Sequence, residues 1–224
     1  MNFLSMGLFL SLSGVIGRTH NEVERSLRNY AESAGGSLQI AIPDNDHATS
    51  CVIKEANGNT TVLYPSDHFD WDRSSQFLSK ELKAPVFSLH IHDGDLWLYV
   101  FYFNGEIVDQ FNPVPAYWDE HISEEEIDSW KGNALLLEKY IPFLKARSIE
   151  KYLVRWDLNA EGEKAYETDR FFNEDQQLID FMDKLGLQYP LDDSGNPTGD
   201  IYRSWTNEQV IPKQAGSKKW WKFW

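Results

Sequence analysis

His90 and His92 stand two residues apart in the stretch "SLHIHDGDLW", and Asp93 and Asp95 follow at once. On an extended strand, residues i and i+2 project to the same side. Two imidazoles and a carboxylate placed this way can share a divalent metal or pass a proton. The same segment also reads as a turn. Asp93-Gly94 is a two-residue hairpin signal that pairs His92 with Asp95, Ile91 with Leu96 and His90 with Trp97. In that register His90, His92, Asp95, Trp97, Tyr99 and Phe101 share one sheet face, and these six are the candidate binding residues. Leu89, Ile91, Leu96, Leu98 and Val100 take the other face. A cross-strand ion pair of His92 with Asp95, and packing of His90 on Trp97, then accounts for the histidines without a metal.

The His-x-His pair resembles the first half of the cupin metal motif, in which a Glu follows within a few residues. Here only Asp93 and Asp95 follow, and helices interrupt the early strands, so the resemblance fails. Spacing alone does not bring His47, His68 or His121 to the pair. The run "DHFDWD" offers His68, Asp70 and Asp72, but acids are also what a helix N-terminus attracts. The expectation is therefore no metal, no cofactor and no assigned catalytic residue. Neither a phosphate-cradling glycine loop nor Gly-x-Ser-x-Gly, His-Glu-x-x-His or an EF-hand loop is present. Cys51, the single cysteine, sits in the strand-like "TSCVI" and reads as a buried, inert thiol.

A second candidate is the end of the chain. Lys218, Lys219, Trp220, Trp221, Lys222, Phe223 and Trp224 form a basic aromatic tail on an acidic body. Such a segment can dock in a partner's groove, or touch a membrane surface weakly and reversibly.

Charge narrows the partners. The chain carries 21 basic and 35 acidic residues, a net charge of −14, which excludes the basic footprint that nucleic acid requires. With 42% hydrophobic and 14% aromatic residues, its 224 residues can bury a substantial core. The opening "MNFLSMGLFLSLSGVIG" has no basic residue before its apolar run and no small-residue cleavage site, and it is too short to span a bilayer. A cytoplasmic location is expected.

The elements that must position these residues follow from periodicity. "LFLSLSGVI" alternates as a strand, and "THNEVERSLRNYAESAGG" is an amphipathic helix capped by Thr19 or Asn21 and ended by Gly35-Gly36. Hairpins turn at Asn57-Gly58 and Asn104-Gly105, and a second helix, "DRSSQFLSKELK", stops before Pro85. "SLQI" and "SLHI" each follow a helix and lead into strands, which suggests a strand-helix-three-strand duplication. Later come Ser123 as the cap of an acidic helix and "NEDQQLIDFMDKLG", capped by Asn173.

The expected fold is α+β: a mostly antiparallel sheet with two helices on one face (residues 1–113), an acidic helical region packed on the sheet (114–190), and a loop and tail (191–224). Both sheet faces are apolar, so the helices of the second region are expected to cover the aromatic row. The expected role is non-enzymatic: a protein that binds a protein partner, one version being a bacterial toxin-neutralising protein that blocks a basic effector. The alternative is a metal-dependent or small-molecule-binding enzyme built on His90, His92 and Asp95.

Overall fold

Turn chemistry decides where the strands fold back. Asn57, Gly58, Asn104 and Gly105 all have positive φ, 55°, 73°, 52° and 82°, as two-residue type I′ hairpins require. They close β3 (Cys51–Ala56) on β4 (Asn59–Leu63), and β6 (Leu96–Phe103) on β7 (Glu106–Phe111). The computed structural model describes residues 9–41, 50–65, 71–92, 96–117, 119, 121–156 and 176–205. With β1 (Leu10–Val15), β2 (Ser37–Ile40), β5 (Val86–His92) and β8 (Asp200–Trp205), these strands form one sheet in the order β2-β8-β3-β4-β1-β5-β6-β7. Every neighbouring pair is antiparallel.

Helices α1 (His20–Ser33) and α2 (Trp71–Leu82) lie on one face. Thr19 caps α1: its backbone N–H donates to Glu22 Oε2 at 2.9 Å, which satisfies a donor that the first turn leaves open. Val23, Leu27 and Ala31 of α1 and Leu78 of α2 pack with Val15, Ile53, Val62, Val86 and Leu98. Because β4 and β5 flank β1 and both oppose it, they run parallel to each other, and α2 joins them as a crossover.

The opposite face is covered by α4 (Ala134–Tyr140), α5 (Ala146–Ile149) and α6 (Gln176–Lys184). Leu137, Ile149, Phe181 and Met182 share a core with Leu12, Phe87, Leu89, Trp97 and Tyr99. The short α3 (Glu124–Ser129) buries none of its residues and starts at Ser123, whose Oγ accepts the Glu126 N–H at 3.2 Å. The fold is α+β, with two helices on one face and a helical extension on the other. Among the described residues no helix is long and apolar enough to cross a membrane.

One element departs from the sequence reading. Residues 200–205, taken there as part of a loop and tail, form β8 between β2 and β3, with Tyr202 opposite both Ile40 and Cys51. A strand paired on both sides needs less of its own apolar periodicity, because its backbone is satisfied from each flank. The insertion also leaves β2 at the sheet edge while β5 is central, so the two halves of the suggested duplication do not occupy equivalent places.

Candidate functional site

The β5–β6 pairing places His92 opposite Leu96, Ile91 opposite Trp97 and His90 opposite Leu98. Three residues, 93–95, therefore connect the strands, not the two that Asp93-Gly94 predicts. A one-residue slip sends every side chain of one strand to the other face. His90 and His92 thus lie on the α1–α2 face with Ser88, Leu98 and Val100, while Trp97, Tyr99 and Phe101 face α4–α6. The five described members of the six predicted binding residues therefore lie on opposite faces and do not form one site. Asp95, His47, His68, Asn173 and the tail Lys218–Trp224 lie outside the described residues.

The aromatic row is buried by the chain's own helices, as expected. Trp97, Tyr99 and Phe101 are 3%, 0% and 0% exposed. Trp97 Nε1 donates to Gln177 Oε1 at 2.9 Å, and Tyr99 stacks on Phe181 with ring centroids 5.5 Å apart. Phe111 joins this face opposite Tyr99, although simple alternation from the turn puts it on the other. The pairing shifts between Phe101 and Tyr102, so Val108 is an extra residue on β7 and resets the alternation beyond it. At the rim, Asp109 Oδ2 accepts Tyr99 Oη at 2.7 Å and the Asn133 N–H at 2.9 Å. Burial raises the Asp109 carboxyl above the ordinary range.

The histidine face carries a buried polar layer under α2. Ser11 Oγ lies 2.9 Å from His90 Nδ1, and the Leu10 backbone also bonds the ring. Burial first, and then the neighbouring His92, push His90 down to about 3, so the ring is neutral at ordinary pH. His92 is met edge-on by Phe9 and Tyr117, with centroids 4.9 and 5.6 Å away. Ser74, Ser75 and Ser79 give α2 a flank of small, fully buried residues, which lets the helix sit close to the strands. Ser13 Oγ lies 2.7 Å from Tyr64 Oη and 2.6 Å from Ser75 Oγ, and Ser79 Oγ donates to the Ala84 carbonyl at 3.0 Å.

Asp72, in the first turn of α2, is the acid of this layer. Tyr102 Oη donates to its Oδ1, and the buried Ser88 Oγ lies near the same carboxyl without a hydrogen bond. Burial raises Asp72 to about 6, against the lowering by these two hydroxyls and by Arg73. Here the acid pairs with the Tyr102 phenol and the imidazole with the Ser11 hydroxyl. Sequence reasoning passed over the layer, although "LSLSGV", "RSSQFLS" and "VFSLH" carry its signal: serines at alternate strand positions and along one helix flank. Cys51, 1% exposed, has its thiol pushed up to about 12 by burial and is inert, as expected.

No protein family model, curated protein or solved structure matches this chain.

The reading of the surface rests on its own geometry. Glu124, Glu125, Glu126 and Asp128 of α3 and the nearby Asp119 are exposed, with Lys131 held at 2.9 Å from Asp128. Among the described residues, no group of three or more His, Cys, Asp or Glu is placed to hold one metal ion.

Proposed function

We propose that this protein works by binding another protein, and that its acidic exterior receives a partner with a basic face. The observation that carries the reading is the partition of charge and chemistry. His90 is engaged by Ser11 and Asp72 by Tyr102 inside the fold, whereas the carboxylates of α3 point to solvent on a chain of net charge −14. A surface of one sign steers and orients an oppositely charged partner. A toxin-neutralising protein that blocks a basic effector is one concrete form of this role. The basic aromatic tail, Lys218–Trp224, would add a second contact.

The test is affinity purification of the full chain, followed by salt titration of binding with the purified partner. A basic partner whose affinity falls as salt rises, and falls by about tenfold or more when Glu124, Glu125 and Glu126 are replaced by Lys, supports the reading. A partner whose affinity ignores both salt and the three replacements overturns it. Deleting Lys218–Trp224 reports separately on the tail.

A further inference from the structure

We propose that Asn57-Gly58 is a site of spontaneous covalent modification. Its exposed amide converts to a mixture of aspartyl and isoaspartyl residues, while Asn104-Gly105, the same dipeptide in the same kind of turn, is spared. The sequence holds these two Asn-Gly pairs. Asparagine is among the thermally labile residues, and a following glycine has no side chain to screen its backbone nitrogen. Composition therefore gives both pairs the same reactivity. The fold separates them.

The chemistry is a ring closure followed by hydrolysis. The Gly58 backbone nitrogen gives its proton to solvent and attacks Asn57 Cγ. The N–Cγ bond forms, the Cγ–Nδ2 bond breaks, and Nδ2 takes a proton from solvent and leaves as ammonia. Water then adds to either carbonyl of the cyclic imide. Opening on one side leaves an aspartyl residue, and opening on the other routes the main chain through the side chain as isoaspartyl. Water is consumed, ammonia is released, and nothing is oxidised or reduced.

The attack needs a glycine nitrogen free of hydrogen bonds, room for the peptide to turn, and solvent. The β3–β4 turn supplies them. Asn57 and Gly58 are exposed, and a Cβ on Gly58 would meet nothing within 4 Å. Among the described residues no partner takes the Gly58 N–H. Asn57 Nδ2 reaches the Gly186 carbonyl only at 3.5 Å, at the outer limit of a hydrogen bond, so Cγ is free to swing.

The β6–β7 turn has a matching backbone, with φ of 52° and 82° against 55° and 73°. Its glycine, however, is buried against α2. The Gly105 N–H donates to Ser79 Oγ at 3.3 Å, and its carbonyl accepts Gln76 Nε2 at 2.8 Å. A Cβ there would lie 2.9 Å from Lys80 Cβ, so the peptide has no room to turn. Attack on Asn104 must first break both hydrogen bonds, which at ordinary net strength slows it by about tenfold or more. At Asn57 the product carboxylate replaces the donor opposite the Gly186 carbonyl, and so places new negative charge where the β3–β4 turn meets the end of α6.

Incubation of the folded, full-length protein in mildly alkaline buffer tests this, with peptide mapping by mass spectrometry and quantitation of isoaspartyl. A guanidinium-unfolded sample reports the intrinsic reactivity of each pair. In the folded protein Asn57 is expected to convert at least about tenfold faster than Asn104, with both products present. In the unfolded chain the two rates are expected to be near equal. Equal rates in the folded protein, conversion at neither pair, or the same bias in the unfolded chain overturns the proposal. An aspartyl product alone would mean direct hydrolysis and would overturn the ring closure.

Discussion

Gly14 and Leu187 share one space: a Cβ on residue 14 would lie 2.3 Å from Leu187 Cδ1. The bare backbone of β1 is what allows the segment after α6 to press on the sheet centre. Gly14→Ala is expected to destabilise the fold by about 1–3 kcal/mol through overpacking. Trimming the neighbour with Leu187→Ala should make the added methyl less costly. Urea midpoints of the two single variants and the double variant measure this. Strict additivity would show that the two residues do not compete for space.

Thr61 offers the opposite case. It is fully buried on the central strand β4, and its Oγ1 has no hydrogen-bond partner. A buried hydroxyl that has left water without replacement is a standing cost. Thr61→Val keeps the branched shape and removes the hydroxyl, so stability should rise by about 1 kcal/mol. A lower denaturation midpoint in Thr61→Val would reveal a bond that the geometry lacks.

The two half-buried titrating groups His90 and Asp72 pull stability in opposite directions as pH changes. His90, held down at about 3, keeps its proton off in the fold but takes one on unfolding once pH drops below about 6.5. Its contribution is present above the unfolded value and is lost as pH falls toward the folded one. Asp72, held up at about 6, binds its proton more tightly when folded. Its contribution is full below about 3.8 and is lost as pH rises through about 6. In His90→Asn, stability between about pH 4 and about pH 6 should fall with rising pH relative to wild type, and in Asp72→Asn it should rise. Urea unfolding across that range measures both slopes. Parallel curves for all three proteins would refute the assignment.

Gly199 sits where no side chain can yield. A Cβ there would meet the Ile53 carbonyl oxygen at 2.2 Å, and that atom belongs to the β3 backbone. Gly199→Ala should therefore cost about 3 kcal/mol or more and weaken the docking of β8. Hydrogen exchange of the β3 amides at Cys51 and Ile53 checks the location of the damage. Loss confined to the surface loops would place it elsewhere.

How much of this could be read beforehand depended on the range of the interaction. The Asn57-Gly58 and Asn104-Gly105 turns, the Thr19 and Ser123 caps and the stripe of α6 were legible because each is set within a few residues of chain. The face of His90 was not, since an Asp-Gly pair fits either a two- or a three-residue connection, and that single residue inverts the strand. The placing of β8 depends on partners far away in the sequence, which no local signal of "IYRSW" reveals. The serines of α2 are polar by composition and buried by context. They become a core surface because Ser13, Tyr64 and the Ala84 carbonyl supply what water would have given.

The position of β8 has a consequence for biosynthesis. Both of its neighbours leave the ribosome before it, and the strand that separates them follows the other seven strands of the sheet. Until residue 205 has emerged, β3 presents an open edge and β2 lacks its strand partner. The sheet must hold a strand-wide gap without letting its rims zip together or recruit a foreign strand. Final closure thus waits for β8, through the pairing of Cys51 with Tyr202 far along the chain, and such long-range closures are slow.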